Sequence, residues 1–259
     1  MLQKNLILAL SVFGLVLVGR ESFAELEKID RLSNVSKDVA VRVDYFVDQS
    51  LNPVGEIIDA FRQAEYLTER DRVYVRMNDP ASVGDRFTII RDLGRISSVR
   101  SRGSAGAKRF AIRGFLRITR VFEDAVEAVV YNVSDDVQRG DQLIPYRANT
   151  QSVQAREPES DIRGIVMAGA EDTGIIGSFE LSFLNRGSKH GLRLNDRLVI
   201  YRRATETGRG SSAVEIPIAT LVVVNLTENF ATAYTLSSEG SFEPGSTFKT
   251  DRAEVRYLE

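Results

Sequence analysis

Histidine is the side chain on which many hydrolytic and zinc sites depend, and this chain has a single one. It is His190, in LNRGSKHGLRLNDRLVIYRRA, from Leu184 to Ala204. A Ser-His-Asp hydrolase needs its imidazole oriented by a carboxylate and facing a serine on a strained elbow. The chain contains no Gly-x-Ser-x-Gly. A zinc site needs three or four ligands, and with one histidine and no cysteine it would be built almost wholly from carboxylates, which suit harder cations. An Asp-x-Asp-x-Asp-Gly calcium loop is also absent. Gly187 and Gly191 bracket His190, Leu192 and Leu194 alternate, and Asn195-Asp196 turns the chain into the strand Arg197 to Tyr201. The pattern predicts a glycine turn with His190 at its tip.

Two acidic pairs, Asp135-Asp136 and Glu171-Asp172, are the remaining candidates for general acid–base work. Each pair is adjacent in sequence and turn-like in context, which does not converge two carboxylates on one bond. The sequence therefore predicts no enzyme, no cofactor and no metal.

The strongest charge anomaly is basic. Arg86 to Arg120 holds ten Lys/Arg against one acid, Asp92. Its centre, GRISSVRSRGSAGAKR (Gly94 to Arg109), is rich in Gly and Ser and reads as a loop. The candidate binding residues are Arg95, Arg100, Arg102, Lys108 and Arg109, facing an anionic lipid or cell-wall glycan. The competing expectation is a solvated hairpin balanced by the acidic run Glu123 to Asp141. Aromatic residues are not interleaved with these cations, so nucleic acid is not expected.

These residues need a scaffold and a compartment. MLQKNLILALSVFGLVLVGRESFA reads as a cleavable signal peptide over 1–24, with Lys4, an apolar run from Leu6 to Val18, and small residues Ser22 and Ala24. The run is shorter than the roughly 20 residues of a membrane span. A periplasmic location is expected. From 25 to 64, Val35, Val39, Val43, Phe46 and Val47 recur at helical spacing, Pro53 interrupts, and Gly55 to Ala64 follows; a helical segment is predicted.

From Arg72 the chain becomes β-branched and turn-punctuated, and it repeats. DRFTIIR (Asp85 to Arg91) returns as DRLVIYR (Asp196 to Arg202), offset by 111 residues. Leu116, Ile118, Val121, Glu123, Ala128 and Gly140 return at an offset of 105 as Leu221, Val223, Leu226, Glu228, Ala233 and Gly245. The expected fold is mainly β with an N-terminal helical segment. Two duplicated small antiparallel β-barrel or sandwich modules of SH3-like form, 65–152 and 160–252, are joined by the polar linker ANTQSVQAREPESD (Ala148 to Asp161).

DRVYVR (Asp71 to Arg76), GDRFTIIR (Gly84 to Arg91), RGDQLIPY (Arg139 to Tyr146), GLRLNDRLVIYRR (Gly191 to Arg203) and IPIATLVVVNLTENFATAYTL (Ile216 to Leu236) come in an order that resembles the C-terminal region of proteobacterial LysM-domain envelope proteins. The Gly-Leu…Asp turn is also similar to the C-terminal domain of a flagellar H-ring protein and, more loosely, to periplasmic PDZ turns. No Gly-Asp-Thr-Leu type of LysM signature occurs, and Asn195 stands where those proteins typically have Gly. The resemblance implies a non-enzymatic envelope scaffold or adaptor. Its expected partners are envelope proteins of a peptidoglycan-associated or flagellar motor assembly, or further copies of itself in an oligomer or ring. Peptidoglycan or anionic lipid, bound through 94–109, is the alternative.

Overall fold

The fold is that of a computed structural model, which describes residues 39–96, 106–171, 174–204 and 214–251. The signal peptide, residues 25–38 and the loop tip with Arg100 and Arg102 lie outside the described residues. Among the described residues fifteen strands follow in order. The first nine are β1 (Val39–Arg42), β2 (Tyr45–Asp48), β3 (Gly55–Ala60), β4 (Arg72–Met77), β5 (Arg86–Arg95), β6 (Lys108–Val121), β7 (Val126–Tyr131), β8 (Gln142–Pro145) and β9 (Thr150–Val153). The rest are β10 (Arg163–Gly169), β11 (Leu181–Leu184), β12 (Arg197–Ala204), β13 (Val214–Leu226), β14 (Ala231–Ser238) and β15 (Thr247–Thr250).

The helical expectation for 39–64 is overturned: this stretch forms β1, β2 and β3. The stripe Val39, Val43, Val47 has a spacing of four, which fits a helix but is also an even number and so fits a strand equally well. In VAVRVDYFVD the β-branched Val39, Val41 and Val43 alternate, and a stiff χ1 favours the pleated backbone. Val41, Val43, Phe46 and Val47 are buried.

Strands β10, β11, β14, β13, β12 and β15 close into a six-stranded antiparallel barrel. The other large sheet runs β2-β6-β5-β8-β3-β4-β7 and also pairs β6 with β7, so six of its strands return on themselves with β2 added outside. Read around, this N-terminal ring is β3-β4-β7-β6-β5-β8, the same order as in the C-terminal barrel. The irregularities coincide too. Register shifts fall between Ile57 and Asp59 in the ring and between Val166 and Ala168 in the barrel. The shift from Ile118 to Arg120 is matched by Val223 to Asn225. Inside, Ile57, Leu67, Val75, Ile89, Leu116, Ile118 and Leu143 fill the ring. Val166, Ile176, Leu184, Ile200, Leu221, Val223 and Phe248 fill the barrel at the matching positions.

One turn chemistry recurs at the strand entrances. In Thr68–Asp71, Ser82–Asp85 and Gln138–Asp141, the fourth side chain accepts a hydrogen bond from the first N–H at 2.8, 2.9 and 2.8 Å. Gly177–Glu180, Arg193–Asp196 and Glu243–Ser246 do the same in the barrel at 2.7, 2.8 and 3.2 Å. The third residue of each has positive φ, as position i+2 of a type II turn requires: Arg70, Gly84 and Gly140, then Phe179, Asn195 and Gly245.

A third core joins the two halves. Val47 of β2, with Ile96 and Ala107 at the stem of the β5–β6 hairpin, packs against Met167, Ala168, Ala170, Phe183 and Phe230 on the outside of the barrel. The Thr227 hydroxyl donates to the Val47 carbonyl at 3.3 Å across this seam. The Ala148–Asp161 stretch does not hang free: β9 pairs with β1, and Arg156 bonds Asp196 at 2.8 Å.

Candidate functional site

His190 ends a short 3-10 turn, Ser188–His190, closed by Gly191 at φ 94°. Its Nδ1 accepts the Gly187 N–H at 3.1 Å. Burial, then the charges of Arg186 and Lys189, hold the imidazole below its usual pKa. Among the described residues no carboxylate orients it; it ties its own turn together. Gly187 is required there, because a Cβ would lie 2.4 Å from the Thr227 carbonyl oxygen and 2.5 Å from the Phe230 nitrogen.

The acidic pairs are divided among structural roles. Arg91 bonds Asp141 through Nε at 2.7 Å and Asp136 through Nη1 at 3.0 Å, while Asp135 pairs with Arg113. Asp172 lies outside the described residues. Among the described residues no three His, Asp or Glu side chains gather as a metal set.

The basic hairpin is built differently from a free arm. Its stem is packed, with Ile96 8% and Ala107 1% exposed and the Ile96 N–H bonded to the Ala107 carbonyl at 3.0 Å. Arg95 is exposed and stands opposite Lys108. Lys108 in turn pairs with Asp92 at 2.8 Å. Against the upward push of burial, that Lys108 bond and the Gly94 N–H hold Asp92 below its usual pKa. Arg109 sits on β6 opposite Val47, at the seam. The structure thus brings Arg95 and Lys108 together but not the five cations as one described cluster.

A concavity lies elsewhere along the seam. A cleft of about 290 Å³ opens where Arg42 at the end of β1, Asp44 in the connection and Tyr45 at the start of β2 face the barrel. Ala170 and Glu171 line it from the turn after β10, Phe179, Glu180 and Leu181 from the start of β11, and Tyr234 from β14. Asp44 is anchored through Oδ1, which accepts from Arg42 at 2.9 Å, Ser134 at 2.9 Å and Asn149 at 2.7 Å, and this stiffens that wall. Glu180 is held by the Gly177 N–H. Glu171 is exposed and carries its charge toward Tyr45, whose pKa is raised by burial first and by Glu171 next.

Phe179 is the outlier. A bulky residue at φ 70° is sterically disfavoured, and Phe179 is 71% exposed at the cleft rim, its ring 6.5 Å from that of Tyr234. Ile175, 61% exposed, precedes it in the same turn region. Chemically the cleft offers aromatic faces with carboxylates beside them, which suits an apolar or cationic side chain. Sequence reasoning missed this site because its walls come from separate segments. The one local signal was Phe179 itself, a phenylalanine where the other turns carry Gly, Asn or Arg. No protein-family model matches the chain, and no curated protein matches it either.

Proposed function

We propose that the chain is a non-enzymatic scaffold or adaptor of the periplasmic cell envelope, built from a duplicated SH3-like module, that works through protein contacts at the seam. The observation that carries this reading is Phe179: an exposed aromatic held in a costly backbone conformation at the mouth of a cleft. Strain of that kind persists where it serves binding, and exposed aromatic anchors beside a pocket are what interfaces use. The expected partner presents an apolar or cationic side chain to Phe179, Tyr234, Tyr45 and Glu171. The signal-like leader and the resemblance to LysM-associated envelope proteins and a flagellar H-ring protein support an envelope assembly, peptidoglycan-associated or part of a motor, as the setting.

Phe179→Gly tests it, because glycine relieves the backbone while removing the anchor. The variant is expected to be no less stable than the parent by urea unfolding, yet to lose its co-purifying partners from detergent-solubilised envelope fractions. A parent that elutes from those fractions as a lone monomer, or partner capture unchanged by Phe179→Gly, sinks the proposal.

A further inference from the structure

On the outer wall of the N-terminal ring, two guanidinium groups are set against each other. Arg86 of β5 and Arg117 of β6 are direct cross-strand partners, both exposed. Side chains so placed leave the backbone about 5 Å apart, and like charges there repel. Neither arginine has a carboxylate partner among the described residues. The arrangement is held from below. The Arg86 guanidinium lies 4.3 Å from the centroid of Tyr146, whose ring is 5.3 Å from that of the buried Phe115. Phe115 also meets Tyr131 at 5.7 Å, and the Tyr131 hydroxyl, shut from water, lies against the Arg86 guanidinium and helps to hold it in place.

The C-terminal barrel carries the same positions with the charge neutralised. Phe87 pairs with Pro145 as Leu198 pairs with Thr250, so Arg86 matches Arg197 and Tyr146 matches Asp251. There Arg197 stands opposite Val222 and is neutralised by Asp251 at 3.0 Å. The ring has a tyrosine in place of that carboxylate and a second arginine in place of the valine. We propose that Arg86 and Arg117 form a site for a phosphate oxyanion, on a different face from the seam cleft and independent of its role. Two planar forks can each offer paired N–H donors to phosphate oxygens, and the anion removes the repulsion that the bare pair carries.

The test uses the full chain and two substitutions copied from the barrel, Arg117→Val and Tyr146→Asp, which suit the local strand geometry. Calorimetric titration with inorganic phosphate at low ionic strength should show one saturable site, weakened about tenfold or more in each variant, a loss of the size expected for one charge-assisted contact. Circular dichroism of both variants should match the parent. Absence of saturable binding by the parent, or equal binding by a folded Arg117→Val variant, overturns the site. Competition with short-chain phosphatidic acid identifies the source of the phosphate. Displacement at concentrations well below those of phosphate marks a lipid headgroup, and displacement no better than phosphate marks a free anion.

Discussion

The ring and the barrel share strand order, bulges, turn devices and core positions, yet they place their charges differently. In the ring, Arg91 reaches Asp141, 3% exposed, and Asp136, and its guanidinium is held firmly protonated by the first of these. In the barrel, the positions matching Asp136 and Asp141 are Ser241 and Ser246. Asp59, Asp71, Asp92 and Asp136 all sit below the usual carboxylate pKa, and all four belong to the ring. The comparison teaches that backbone devices and apolar packing carry this fold, while the ionic layer over it is free to differ.

The sharpest way to break the comparison is Asp141→Ala. It strands the half-buried Arg91 and removes the acceptor of the Gln138 N–H, and should cost about 3 kcal/mol in urea unfolding. Ser246→Ala at the matching turn should cost about 0.5–1 kcal/mol, the value of one neutral bond. A smaller difference between the two would mean that the ionic layer is decorative.

Acid should separate the halves next. Carboxylates with depressed folded-state pKa values contribute stability that is complete above their ordinary value of 3.8 and is lost as pH falls through the folded one. For Asp71 the cause is first the Arg62 hydrogen bond; for Asp136, burial works against the Arg91 hydrogen bond, which wins. Below about pH 4, hydrogen exchange of β3, β4 and β7 should accelerate before that of β10, β11 and β14. Simultaneous loss in both halves would show that the seam couples them too tightly to melt apart. The smallest effect is reserved for Arg70→Gly, the ring counterpart of Phe179→Gly. Relief of positive φ against the added freedom of the unfolded chain should leave a gain of about 0.5 kcal/mol in thermal unfolding.

Much of the architecture was legible. The recurrence of DRFTIIR as DRLVIYR located β5 and β12, and the Gly-Asp and Asn-Asp dipeptides located the turns because positive φ has few tolerant residues. The helical misreading of 39–64 came from a stripe whose spacing satisfies two periods; the β-branched content was the evidence to weigh. Met167 and Phe183 belong to apolar runs, GIVMAGA and SFL, that are hydrophobic on both faces. Such runs mark strands covered on both sides, and here the cover is the seam. The cleft was not legible, since Tyr45, Glu171, Phe179 and Tyr234 meet only after both halves close and dock.

The short ribbon β1–β9 has a mechanical consequence. It clips the start of the described chain, Val39 to Arg42, onto the segment that connects the two halves, with Val39 opposite Val153 and Arg42 opposite Thr150. A pull applied upstream of Val39 therefore loads this ribbon and the connecting segment before it reaches either closed wall. The ribbon thus clamps the connection between the halves at its middle.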